Sequence, residues 1–273
     1  KAIRRQRHMC IRHRNDPFVN SPDLAGLEVF KDTLGSAENI RLVAEFYLKR
    51  GYHKEALAHF NSLLENTPDD YQLLQKAGYC YAAFGEVEKA VEMYSRSELL
   101  APDSLWTLKR LAASYRLLGN HSKALEYYRK VEVKRPDDLN IAYAIGHCLM
   151  EMGAIKDALK MFYKVEYLAP DSSKALRPVA WCNFLTGDYD KSAQYFYKIL
   201  SENPVASDYL NLGHLSLATG KYNDALENYK KCISLSSSED FQSMMAGDLK
   251  VLDSTGVDNV IREIVVDKAL SSN

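Results

Sequence analysis

The sequence predicts an all-α fold, a solenoid of helix-turn-helix units, and three observations carry that expectation. Prolines recur at Pro68, Pro102, Pro136, Pro170 and Pro204, four successive steps of 34 residues. Glycines recur at Gly51, Gly85, Gly119, Gly153 and Gly187 with the same step, and at Gly220 after 33. Aromatics recur at Phe60, Tyr94, Tyr128, Phe162, Phe196 and Tyr229. Three position types held in register over six units mark a repeat that buries its apolar face against its neighbours.

The unit from Tyr71 to Ser104 shows the design. Leu74, Ala77, Gly78 and Tyr81 follow i, i+3, i+4, i+7 spacing and share one face of a first helix. Ala90 and Tyr94 sit four apart on a second helix and can pack back on that face. Small residues at 77, 78 and 90 allow close backbone approach, Gly85 marks the turn, and Pro102 closes the unit. Residues 37 to 237 thereby resemble the tetratricopeptide repeat family. The resemblance implies a right-handed superhelix whose first helices line a concave groove, where extended peptides or partner segments bind.

Taken in order, residues 1–36 are expected to be a basic N-terminal segment followed by a capping or partial-repeat helix. Six bases (Lys1, Arg4, Arg5, Arg7, Arg12, Arg14) stand there against Asp16 within the first 20 residues. Ser21-Pro22-Asp23 supplies N-cap, first-turn proline and acid for a helix carrying Leu24, Leu27, Phe30 and Leu34. Residues 37–238 hold the six repeats. Asp69-Asp70, Asp103-Ser104, Asp137-Asp138 and Asp171-Ser172 give each following first helix its N-cap. In repeat five, Pro178 falls well inside the first helix, where it removes an amide and crowds the Lys174 carbonyl, so a kink or widened turn is expected. Residues 239–273 are expected to form a C-terminal capping helical pair around Thr255-Gly256, with seven acids against three bases.

Composition narrows the function. The 273 residues carry a net charge of −1, which argues against nucleic acid as an obligatory partner of the whole chain. No apolar run reaches the roughly 18 residues of a membrane span. Cys80, Cys148 and Cys182 share the tenth position of their first helices, and stacked helices lie too far apart for disulfide geometry. They read as small buried hydrophobes, and unbridged thiols suit a cytoplasmic protein. The sequence has no phosphate-cradling loop, no paired-histidine zinc motif and no nucleophile elbow. An enzyme is not expected, nor is a metal or a cofactor.

What remains is surface. Positions 4, 7, 8 and 11 of each first helix pack, so positions 2, 5, 9 and 12 point about 130° away at 100° per residue. By resemblance this stripe is the groove. Its candidate partner-binding residues are Tyr79, Trp106, Lys109, Arg116, Tyr143, His147, Lys174, Arg177, Trp181 and His214; Leu210 and Leu217 lie on it too. Aromatics and arginine favour interface cores. The expected function is a non-catalytic scaffold that binds a peptide or protein segment, acidic with an apolar anchor. The alternative is a nucleic-acid-binding solenoid using the basic N-terminus with Lys109, Arg110, Arg116, Lys174 and Arg177. The carboxylate clamp of chaperone-binding relatives is not reproduced: its five positions read Arg41, Glu45, Lys76, Trp106 and Arg110 here, and Glu45 would repel a terminal carboxylate.

Overall fold

The computed structural model describes residues 36–170 and 172–271. The expected basic segment and the helix opened by Ser21-Pro22-Asp23 lie outside them. Fourteen α-helices and no strand are present among the described residues. They fall into two compact units, one ending at Leu118 and one beginning at Gly119.

In the first unit, α1 (Ala37–Lys49) and α2 (His53–Asn66) make repeat one, α3 (Tyr71–Ala83) and α4 (Val87–Leu100) repeat two, and α5 (Leu105–Leu117) opens repeat three. The second unit starts with α6 (His121–Lys134). Repeat four follows as α7 (Leu139–Glu151) and α8 (Ile155–Leu168), and repeat five as α9 (Leu176–Leu185) and α10 (Tyr189–Leu200). Repeat six is α11 (Ala206–Ala218) and α12 (Tyr222–Leu235), and α13 (Ser238–Ser254) and α14 (Asn259–Ser271) come after it.

The recurrent glycines are the helix stops. Gly85 has φ +80°, in the left-handed region that a side chain strains. Its N–H reaches the Ala82 carbonyl at 3.1 Å and the Glu86 N–H reaches Tyr81 at 3.0 Å, the Schellman closure of a helix end. Four of the recurrent prolines, Pro68, Pro102, Pro136 and Pro170, occupy the second position of a tight turn, as in the Asp70 N–H bond to the Thr67 carbonyl at 3.2 Å across Pro68. The last residue of the turn then caps: the Asp70 carboxylate accepts from Gln72 and Leu73 N–H, and Asp138 does the same for Asn140 and Ile141.

Packing within a repeat turns on one small residue meeting one ring. A Cβ built on Gly78 would sit 2.6 Å from the Tyr94 ring, one on Gly146 2.6 Å from Phe162, and one on Gly213 2.3 Å from Tyr229. Repeats one, three and five carry alanine at that position (Ala44, Ala112, Ala180), all buried. The six ring residues are buried as well.

Two segments depart from the pattern. Pro178 produces a discontinuity, tightened rather than widened. Ser173–Ala175 form a 3-10 turn, and the α-helix begins only at Leu176. Pro178 thus falls in the first turn of α9, where its missing N–H has no partner to lose. The final pair is also irregular: α14, rather than α13, takes most of the contact with α12, while α13 leans onto α11.

The Gly146 contact generates a stability prediction. Gly146→Ala should destabilise by about 1–3 kcal/mol, the cost of overpacking, even though alanine is the better helix former by about 0.5–1 kcal/mol. The midpoint of urea unfolding reads it. An unchanged or raised midpoint would contradict the packing argument.

Candidate functional site

The stripe is best taken unit by unit. In the first, α3 and α5 bring Tyr79, Trp106 and Arg110 together. Trp106 is 39% exposed, and its ring meets Tyr94 edge-on at 5.7 Å. The Arg110 guanidinium lies 4.9 Å from the Tyr79 ring centre and 5.0 Å from that of Trp106. Such a cation between two aromatic faces is held in place yet stays exposed to a ligand. Beneath it the Tyr94 hydroxyl is buried with no hydrogen-bond partner among the described residues. Lys109 is half-buried and Arg116 exposed.

Among the expected residues of the second unit, Tyr143 sits edge-on to His147 at 4.5 Å and to Phe162 at 5.8 Å. Burial raises its phenol above the ordinary value, with Arg177 acting against that. The Lys174 ammonium lies 4.6 Å above the Tyr143 ring and donates to Asn140 Oδ1 at 2.6 Å. Trp181 is half-buried, tilted against Phe184 at 5.2 Å.

Two expected site residues need correction. Arg177 is already engaged within the protein although its side chain stays 48% exposed: its Nε and Nη2 donate to both oxygens of Asp208 at 2.8 and 2.9 Å, and Nη2 also reaches the Asn203 carbonyl at 3.1 Å. Asp208 is only 2% exposed and accepts the Val205 N–H at 2.8 Å, so the pair fastens α9 to the start of α11. His214 is fully buried, with Nδ1 2.8 Å from the Tyr229 hydroxyl and Nε2 3.4 Å from Asp248 on α13. One tautomer satisfies both contacts: Tyr229 donates to Nδ1 while Nε2–H donates to Asp248. Leu210 and Leu217, on the same stripe, are buried too.

The fifth position ties neighbouring first helices together in repeats one, two and five. Arg41 pairs with Asp70, Gln75 donates to Ser104 Oγ at 3.1 Å and Thr107 Oγ1 at 2.9 Å, and Arg177 grips Asp208. Each reaches the first turn of the next first helix, 29 to 32 residues on. Glu45, at the ninth position, pairs with Lys76 in the same way. These ties were visible in the sequence only as charge complementarity just short of one period. Arg110 was likewise detectable: it follows Trp106 by four residues and so shares its helix face.

This architecture is matched by known proteins. A tetratricopeptide repeat family model covers residues 27–163, half of the chain, and a second covers residues 209–239. The chain belongs to the tetratricopeptide repeat family. Among curated proteins no sequence matches significantly. Solved structures share the fold at low identity. A MamA chain from Desulfovibrio magneticus RS-1 superposes with a TM-score of 0.58 at 21% identity, covering 62% of this chain and 97% of its own. A tetratricopeptide repeat protein from Parabacteroides merdae ATCC 43184 gives 0.57 at 18% identity, covering 93% and 95%. Among the described residues, no helix of this tetratricopeptide repeat protein is long and apolar enough to cross a membrane.

Two predictions follow from the corrected residues. Arg177→Ala should lower stability by about 1–3 kcal/mol, because it leaves a buried carboxylate short of its donors; a thermal or urea midpoint at the wild-type value would contradict this. His214 is held below its ordinary value near 6.5 by burial, against the pull of Asp248. The unfolded chain therefore takes up the proton first, so the His214 contribution is whole above about pH 6.5 and declines as pH falls below it. The stability gap between wild type and His214→Gln should shrink from pH 7.5 to 5.5. A gap that widens on acidification would contradict the assignment.

Proposed function

We propose that this tetratricopeptide repeat protein is a non-catalytic scaffold that binds an acidic protein segment with an apolar anchor on its first-helix stripe. The observation that carries the reading is the exposed Trp106 ring beside Arg110, itself stacked on Tyr79. A rigid aromatic supplies contact area at little entropic cost, and a preorganised guanidinium grips a carboxylate with two parallel donors. In the second unit, Lys174 over Tyr143 and the half-buried Trp181 offer the same chemistry. The nucleic-acid alternative loses one of its cations to Asp208. The four unbridged, buried thiols Cys80, Cys148, Cys182 and Cys232 favour the cytoplasm as its compartment.

The test uses short immobilised peptides, glutamate-rich with a single phenylalanine or leucine. Trp106→Ala should weaken capture by about thirtyfold, which corresponds to the ~2 kcal/mol scale of an interface anchor. Arg110→Glu should chiefly slow association. Equal capture by wild type and Trp106→Ala would contradict the reading. So would a preference for RNA with a steep loss of affinity in salt.

A further inference from the structure

The residues that cover the stripe in repeat six come from α13, which does not sit as the first helix of a seventh repeat. It leans onto α11, while α14 takes the flank of α12. Its inward residues Phe241, Met245, Asp248 and Leu252 follow i, i+4, i+7, i+11 spacing, a single helical stripe. Three of them share one buried cluster with Leu210 and Leu217. Asp248 reaches His214, and Val251, like Trp181, packs against the cluster that includes Phe184 and Leu215. Thus stripe positions that are open or half-open elsewhere are filled here by an amphipathic helix of the same chain.

Its apolar face is buried, but its polar hold is light. Gly247 lies in its interior, and a Cβ there would meet nothing within 4 Å, so packing gives no reason for a residue that weakens helices. The His214 contact is long at 3.4 Å, and Asp248 remains 29% exposed. Between α13 and α14, Arg262 donates to Asp253 Oδ1 at 2.6 Å.

We infer that the stripe of α9 and α11 is a docking surface for an amphipathic helix, and that α13 is its internal occupant. The partner is a helix with bulky apolar residues at i, i+4 and i+11 and a carboxylate at i+7 to meet His214. It docks when α13 lifts. The charge pairing at His214 and the apolar match at Leu210 and Leu217 define that partner. The inference rests on the stripe being a binding surface, but its site is separate from the Trp106 cluster, so the two readings can fail independently.

Hydrogen exchange on the full chain reads the latch with no partner added. The amides of α13 should exchange at least about tenfold faster than those of α11 and α12, through an opening short of global unfolding. A labelled peptide of residues 237–254 then probes the surface. It should bind the Val251→Asp chain, whose latch is loosened, more tightly than wild type. It should bind the Gly247→Ala chain, whose latch is stiffened, about two- to fivefold more weakly than wild type. The same peptide carrying Val251→Asp should not bind. Equal exchange of α13 and α12 would overturn the inference, as would failure of the peptide to bind the Val251→Asp chain.

Discussion

The contact on which the rest of this structure depends is the one between a small residue of each first helix and the ring opposite it. Gly78 against Tyr94, Gly146 against Phe162 and Gly213 against Tyr229 leave no room for a Cβ without a shift. That closeness fixes the crossing of the two helices and buries the ring completely. It also sets the register from which every other position is counted. Dispersion and burial in such contacts are collectively large, and a gap of half an ångström already forfeits much of them. The alanines at 44 and 180 solve the same problem with one carbon more, each in one buried cluster with its ring, Phe60 or Phe196.

Neighbouring repeats are then fastened by polar ties, and these limit what the stripe can offer a ligand. Arg41, Gln75 and Arg177 spend their donors on the first turn of the next first helix. The ends they reach are capped by acids or hydroxyls, which suits the positive end of a helix. Arg41 and Arg177 are therefore structural parts first. The proposed binding surface is what remains, Trp106 and Arg110 of one unit and Tyr143 and Lys174 of the other.

Much of this was legible in the residues themselves. The periodic glycines located the turn between the two helices of every repeat, and Pro68, Pro102, Pro136 and Pro170 the turn that closes repeats one to four, because left-handed φ and a fixed φ each demand a particular residue. Asp70, Ser104 and Asp138 announced their helices by N-cap chemistry. What could not be read came from contacts between elements far apart in sequence. Asp208 is an unremarkable acid until Arg177 is seen to grip it. His214 sits on the stripe by counting, yet it is buried because α13, which follows no repeat pattern, arrives from outside the periodic region. Pro178 was read correctly as a disturbance, but the chain absorbed it by starting the α-helix late instead of bending it.

A double-mutant cycle between Gly146→Ala and Phe162→Leu tests the central contact most directly. Shortening the ring should open room for the new methyl, so the double variant should be more stable than the sum of the single losses, with a coupling of about 1 kcal/mol or more. Strict additivity of the two urea-unfolding losses would show that the glycine and the ring do not constrain each other, and would contradict the account.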